Sequence, residues 1–443
     1  MYCAVMTPEE EWLSAEEAAR RLGIKRETLY AYVSRGMLSR RRPAGGRESR
    51  FDPAEVARLA GRARSGGRSG SLDLVIDSAL TLLEPGGRLW FRGWDAEEAC
   101  TTASFERVAA WLWTGQAEAF DEAPFAAPDA VLAVAQAAAG LLPVGTPPFD
   151  RARVAVAAAA TADPLRFDRR PDGVAAAGRR IVALVVDSLP PAGRDARGGA
   201  DAEAAGAGQL GADGESEVGA GTSSIAQRLW SRLCPEPGSP EQVAVLNAAL
   251  VLLADHEMAS STLAARVAAS TWADPYLVVS AGLAVLGGPL HGSVGDRLVP
   301  MLNEAVARGA AEALAGRWRL GEKVGGFGHL VYTKRDPRAA ALWPLLQGAW
   351  PSSAIVGATA EIIEAVVVHG DTFPNVDLML ATLVGAADMV EGSAEVIFSV
   401  ARTAGWLAHA IEEYRHHLRF RLRAAYVGPA VGGNAQAASL QVP

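Results

Sequence analysis

The sequence predicts an all-α body carrying a small basic head, and three observations predict it. Beyond residue 71, apolar residues recur at i, i+3, i+4 and i+7, with few of the alternations that mark strands. Charge divides unevenly: residues 1–70 hold 14 Lys and Arg against 9 Asp and Glu, whereas the remainder holds 28 against 41. Between the two regions, Ser65-Gly66-Gly67-Arg68-Ser69-Gly70-Ser71 has the composition of a flexible linker. A head of residues 1–64, a linker of 65–71 and a body from 72 onward follow, and opposite charge suggests that the two modules meet different partners.

The head reads in order as follows. Ser14 with Glu17 three residues later is a capping box that opens a short helix, and Gly23 stops it. Lys25-Arg26-Glu27-Thr28-Leu29-Tyr30-Ala31-Tyr32-Val33 begins a second helix, with Thr28, Tyr32 and Arg35 on its outer face. Arg40-Arg41-Arg42, the Gly45-Gly46 turn and Arg47–Phe51 read as a small basic β-wing, followed by a helix from Asp52-Pro53. This stretch resembles the winged helix-turn-helix of excisionase-type and MerR-type DNA-binding proteins. The resemblance implies contact with DNA through Lys25, Arg26, Thr28, Tyr32, Arg35, Arg40, Arg41, Arg42 and Arg47. A helical docking module with solvated arginines is the competing reading.

The body opens on Pro85–Trp94, read as a turn and a short strand, and is helical thereafter. Residues 192–223 are Gly, Ala, Asp, Glu and Ser with almost no large apolar side chains; burial there cannot offset the entropy of ordering, so an exposed, disordered insertion is expected. Cys3, Cys100 and Cys234 lie far apart with no CxxC pair, which argues for a reducing compartment and against a disulfide framework or zinc site. The N-terminus lacks the pattern of a signal peptide, and the apolar stretches are too often broken by charge to span a membrane. A cytoplasmic protein is expected.

Chemistry concentrates in three stretches: Gly288-Pro289-Leu290-His291-Gly292; Gly326-Phe327-Gly328-His329 with Asp336-Pro337-Arg338; and Pro374-Asn375-Val376-Asp377. They supply two histidines, an arginine and a carboxylate, each beside a helix start or a turn. Such a set can polarise one carbonyl, orient another and take a proton from carbon; neither metal-ligand spacing nor a Ser-His-Asp reading accounts for it as well. Gly325-Gly326-Phe327-Gly328 has no convincing strand before it, so it is weak as a phosphate loop. Ser260 and Ser261 are placed to cap the helix after Asp255-His256-Glu257. His291 precedes a helix with Val294, Leu298, Leu302 and Val306 on one face, where the helix dipole disfavours imidazolium. Asn375 or Asp377 opens another helix. Arg402, Trp406, His409 and Glu413 share one face of the last helix.

Residues 71–443 resemble the citrate synthase family. The resemblance is carried by these three stretches together with Ser78-Ala79-Leu80, Arg92-Gly93-Trp94-Asp95, Ala254-Asp255-His256-Glu257, Val331-Tyr332, Arg402–His409 and Arg421…Tyr426-Val427-Gly428-Pro429. It implies a citrate synthase-like two-domain helical fold, with a large domain of residues 72–293 and 383–443 and a small domain of 294–382. It also implies condensation of acetyl-CoA with oxaloacetate to give citrate and CoA. In that reaction Asp377 is the base, His291 holds the enol, His329 polarises the keto group and His256 contacts oxaloacetate. Arg338, Arg402 and Arg421 would bind its carboxylates, Arg421 across a homodimer interface, with no metal or prosthetic group. Leu253, Met258-Ala259-Ser260, Val294-Gly295-Asp296 and Arg421-Leu422-Arg423 depart from the family pattern and bring propionyl-CoA, giving 2-methylcitrate, into consideration. A DNA-binding regulator that uses the body as a metabolite sensor is the alternative.

Overall fold

The computed structural model describes residues 12–22, 29–30, 33, 38–41, 49–53, 55–56, 76–116, 124–192, 223–370, 372–416 and 419–421. Chain contacts divide it into two compact units, Met1–Asp77 and Ser78–Pro443.

In the first unit, β1 (Leu13–Ser14) runs into α1 (Ala15–Leu22), and β2 (Arg40–Arg41) and β3 (Arg50–Phe51) complete an antiparallel sheet of order β1-β3-β2. Ser14 Oγ accepts from Glu17 N at 3.2 Å, the N-terminal cap foreseen for this helix. Leu13, Ala18, Leu22, Leu29, Leu38, Phe51 and Val56 form a small separate core. Arg40 and Arg41 stand exposed on the hairpin. Lys25, Arg26, Thr28, Tyr32, Arg35, Arg42 and Arg47 lie outside the described residues, as do the 65–71 linker and all but the two ends of the 192–223 segment.

The second unit begins with β4 (Thr81–Glu84), β5 (Arg88–Phe91) and β6 (Trp94–Asp95), an antiparallel meander in which Leu82 faces Trp90. Helices follow: α2 (Ala96–Thr102), α3 (Phe105–Thr114), α4 (Asp129–Gly140), α5 (Pro148–Ala159), α6 (Pro171–Asp187), α7 (Ile225–Leu233) and α8 (Pro240–Leu253). After these come α9 (Ser260–Ser270), α10 (Pro275–Leu286), α11 (Val294–Arg308), α12 (Ala310–Arg319), α13 (Pro337–Ala349), α14 (Ala354–His369), α15 (Val376–Ala386) and α16 (Ser393–His416). The starts of α2, α3, α7, α8, α10, α13 and α15 are capped by Asp95, Ser104, Ser224, Ser239, Asp274, Asp336 and Asn375, whose side chains accept from the first turn.

The centre of this unit is α16, which packs against α3, α5, α6, α8, α9 and α10. Twenty of its 24 residues are buried, so it is a core helix apolar on nearly every side, not an amphipathic surface helix. Arg402, Trp406, His409 and Glu413, read from the sequence as one face of this helix, are all buried. Two expectations need correction. Helix α9 has no side-chain cap, because its N-cap position is Ala259 and Ser260 and Ser261 are already its first two residues. On α11 the buried face is Leu298, Met301, Leu302 and Ala305, while Val306 points outward. No helix among the described residues is long and apolar enough to cross a membrane.

Candidate active site

A cavity of about 520 Å³ is lined by His256, His291, His329, Arg338, Asp377 and Arg402, with Phe398, Val294, Leu290 and Leu330 among its apolar walls. Six of the seven residues expected from the sequence to act on substrate therefore meet in one place. The seventh, Arg421, is exposed and does not line this cavity.

Asp377 and His329 are held together by one amide. Asn375 Oδ1 accepts from Asp377 N at 3.1 Å, while Asn375 Nδ2 donates to Gly328 O at 3.0 Å. Gly328 N donates to Phe373 O at 2.8 Å, and Asn375 N to Gly326 O at 2.9 Å. Gly326 has φ +85°, and a Cβ there would press on Leu378 at 2.9 Å, so both conformation and clearance demand glycine. His329 Nδ1 accepts from Val331 N at 3.0 Å, which leaves its hydrogen on Nε2.

His291 lies in the tight turn before α11, not in the helix: its N donates to Gly288 O, and Gly292 N donates to Leu286 O at 2.8 Å. Its Nε2 is 2.8 Å from Ser261 Oγ, which also accepts from Trp406 Nε1 at 3.3 Å. Indole can only donate, which leaves the hydroxyl hydrogen free to be given to His291 Nε2, the arrangement that places the imidazole hydrogen on Nδ1. Ser261 was expected to cap a helix; it orients a histidine instead. Nothing in the local sequence signals this, because the three partners are 30 and 145 residues apart.

Arg338 is gripped by Asp336, with Nε–Oδ1 at 2.9 Å and Nη2–Oδ2 at 2.8 Å, and Asp336 Oδ2 also accepts from Val376 N at 3.0 Å. One carboxylate thus caps α13, fixes the arginine and anchors the start of α15. The Asp-Pro-Arg order carries that signal, since Asp before Pro is an N-cap followed by a first-turn proline. Arg402 is different. Its Nε donates to Leu253 O at 2.8 Å, and its guanidinium lies 4.7 Å from the Phe398 ring centre. Both Nη atoms are buried with no hydrogen-bond partner among the described residues. A buried cation with two unanswered donors is costly unless an anion completes it.

Burial pushes His291 and His329 down to about 4, with Arg402 adding to the first and Arg338 to the second. Burial also lowers His256 well below the usual histidine range, helped by Arg338 and Arg402. The imidazoles are therefore neutral donors at neutral pH, and for His291 burial, not the helix dipole, is the main cause. Burial raises Asp377 to about 6, against the opposing pull of Arg338. His256 Nε2 lies 3.1 Å from Tyr332 Oη, and its ring centre is 5.1 Å from that of His329. Tyr332, read from the sequence only as part of a motif, is thus buried against His256 and His329 and supports both rings.

A carboxylate tuned toward neutrality, neutral imidazoles and a guanidinium with two donors unpaired among the described residues meet in one cavity of a helical body, a combination suited to carbon-acid chemistry on an anion. The sequence profile described as "Citrate synthase, C-terminal domain" matches residues 73–423, and the chain belongs to the citrate synthase family. A profile described as "Helix-turn-helix domain" matches residues 12–64. The chain is 35% identical over 209 residues to "Citrate synthase 2" of Bacillus subtilis, covering 46% of this chain and 56% of that one. To "Citrate/2-methylcitrate synthase" of the same organism it is 34% identical over 201 residues, covering 44% and 53%. The chain thus spans about half the length of these curated relatives. Its fold matches the citrate synthase of Thermoplasma acidophilum, solved as a ternary complex with carboxymethyl coenzyme A and oxaloacetate. The TM-score is 0.64 at 24% identity, over 81% of this chain and 95% of that one.

Proposed function

We propose that the body condenses an acyl-CoA with oxaloacetate, acetyl-CoA giving citrate and propionyl-CoA giving 2-methylcitrate. The observation that carries this reading is Arg402, whose two buried, unpaired Nη donors face a cavity shared with neutral His291, neutral His329 and Asp377. A carboxylate of oxaloacetate would complete the guanidinium in bidentate fashion, and Arg338 and His256 would take its other polar groups. Asp377 would remove a proton from the α-carbon of the thioester. The Nδ1 hydrogen of His291 would stabilise the enol oxygen, and a preorganised donor of this kind is worth about 3–4 kcal/mol. The enol carbon would attack the keto carbon of oxaloacetate while Nε2–H of His329 delivers the proton to the new alkoxide. Water then cleaves the citryl thioester, releasing citrate and CoA. No metal or organic prosthetic group is needed for these steps.

A second cavity of about 610 Å³ shares Gly328, His329 and Leu330 with the first. Trp318 and His369 stack there with ring centres 4.6 Å apart, beside Lys323. This combination suits the nucleotide end of CoA. Residues 294–382 would act as the small domain that closes over both substrates, and Arg421 would complete the site of a second subunit in a cytoplasmic homodimer. The deciding experiment is release of free CoA thiol from purified protein with oxaloacetate and either acetyl-CoA or propionyl-CoA. Turnover establishes the synthase and the ratio of kcat/KM values chooses the acyl group; no thiol from a folded protein refutes the reading.

The first unit favours an additional role. Exposed Arg40 and Arg41 on its hairpin, together with the helix-turn-helix match, support DNA binding by this unit, with the body serving as a metabolite sensor if turnover is absent. Mobility shifts with and without oxaloacetate test it, and no shift at low salt would end it.

A further inference from the structure

Behind the substrate cavity lies a buried polar chain that the proposed chemistry does not use. Asp255 is fully buried in the turn between α8 and α9. Its Oδ2 accepts from Thr81 Oγ1 at 2.6 Å, from Glu257 N at 3.1 Å and from His409 Nε2 at 3.3 Å. Glu257 holds φ +54°, a left-handed conformation that a non-glycine residue keeps only when its surroundings impose it. Asp255 bonds the Glu257 amide in that conformation, and His256 between them lines the cavity.

The same turn grips α16. Leu253 O accepts from Arg402 Nε at 2.8 Å, Ala254 O from Gly405 N at 3.0 Å, and Asp255 from His409. Three consecutive residues thus engage positions 402, 405 and 409, one face of the helix. A Cβ at residue 405 would collide with the Asp255 carboxylate and the Ala254 carbonyl, so glycine is what lets turn and helix touch. Arg266 continues the chain: Nη1 lies 2.9 Å from His409 Nδ1 and 2.9 Å from Glu412 Oε2, and Nε donates to Glu413 at 3.0 Å. Guanidinium has no acceptor, so His409 Nδ1 accepts and Nε2 carries the hydrogen given to Asp255. Glu412 Oε1 in turn accepts from Ala79 N at 2.9 Å, next to Thr81.

We propose that Asp255, clamped by Thr81 and His409, is a positioning residue that fixes the separation of His256 and Arg402 and thereby sets the fit of the dicarboxylate substrate. This rests on the reading of the cavity as an oxaloacetate site. The two groups sit on different elements, a turn and a helix, and Asp255 joins them by accepting from Glu257 N beside His256 and from His409 Nε2 on the helix of Arg402.

The test uses the full-length protein with Thr81→Val, His409→Gln and His409→Met. Losing one hydrogen bond to a buried carboxylate should raise KM and Kd for oxaloacetate about 10-fold in Thr81→Val. In the same variant kcat, the acyl-CoA KM and the melting temperature should stay nearly unchanged. Glutamine can donate to Asp255 and accept from Arg266, so His409→Gln should keep most of the oxaloacetate affinity that His409→Met loses. Equal loss for both substrates, or equal behaviour of the glutamine and methionine variants, would overturn the proposal. A readout independent of catalysis is the ¹⁵N spectrum of histidine-labelled, substrate-free protein. It should show the Nε2–H tautomer at His409 and a shift of the His256 ring nitrogens in Thr81→Val. A hydrogen on His409 Nδ1, or unmoved His256 signals, overturns the positioning role even if the wild type neither binds oxaloacetate nor releases thiol. That last pair of failures would instead refute the catalytic reading.

Discussion

The protonation of Asp377 gives the sharpest check on the proposed chemistry. Burial raises this carboxyl to about 6, whereas His291 and His329 fall to about 4. A base must be ionised to act, so kcat/KM, which reports the free enzyme, should follow the Asp377 carboxylate on its acid side. With a midpoint near 6, the ionised fraction falls from about 0.9 at pH 7 to about 0.1 at pH 5, a loss of roughly 10-fold. Both histidines remain neutral over that interval and contribute little to the slope. An Asp with the usual value near 3.8 would stay more than about 90% ionised at pH 5 and leave the profile flat. The assay is the initial rate of thiol release at subsaturating substrate from pH 4.5 to 8, with refolding controls at each end. Asp377→Asn should lower kcat by about 10²–10⁴ and abolish the limb. The linkage sign is also fixed: a carboxyl whose folded pKa is raised binds its proton more tightly in the folded state. Its ionisation therefore costs stability above pH 6, and this cost fades as pH falls toward 4. Asp377→Asn should accordingly stabilise the protein at pH 7, by about 1–3 kcal/mol after allowing for partial solvent screening. A flat kcat/KM between pH 5 and 7, or wild-type turnover by Asp377→Asn, would refute the reasoning.

Other outcomes follow from the same geometry. His291→Ala should cut kcat about 10²–10³-fold while leaving oxaloacetate affinity nearly intact, read by steady-state kinetics beside calorimetry. Arg402→Leu should weaken oxaloacetate binding by about 100-fold in calorimetry, yet leave the melting temperature equal or higher, because it removes a buried cation with two unanswered donors. Asn375→Ala should cost about 1 kcal/mol of stability as a lost helix cap and lower kcat about 10-fold by releasing the Asp377 and His329 loops from each other; urea unfolding and thiol release check the two effects. In the first unit, Arg40→Ala and Arg41→Ala should each reduce the salt slope of DNA binding by about 1 if these side chains meet phosphates, as fluorescence anisotropy across a salt series would report.

The helical body was legible because its apolar residues recur at helical spacing, and Asn375, Asp336, Ser224 and Ser239 mark their helix starts by residue type. Most cavity residues were legible as motifs: His256, His291 and His329 lie in segments between helices, and Arg338 and Asp377 in the first turns of α13 and α15, whereas Arg402 lies midway along α16. What the local sequence does not carry is pairing at a distance. Ser261 reads as a cap and serves as a histidine's partner, and Thr81, which no motif singles out, bonds a carboxylate 174 residues away. The unpaired state of the Arg402 donors is equally invisible, because it depends on which acceptors α16 does not meet. Burial explains the remaining difference: Val306 has the spacing of a core residue, but the surface that α11 presents inward stops at Ala305.

The Asn375 amide has a mechanical consequence. It ties the loop of His329 to Asp377, the proposed base, while Asp336 ties Arg338 to the same helix start. Asp377, His329 and Arg338 therefore form a single block. His256 and Arg402 form another through the turn and α16. A centre assembled from two stiff blocks has few soft coordinates: error in placing one group is shared by its companions, so their mutual aim survives thermal motion. In the proposed reaction, variation for a larger acyl group would then fall to Leu290 and Val294 in the cavity wall, whereas Phe398 packs on Arg402 and belongs to the second block.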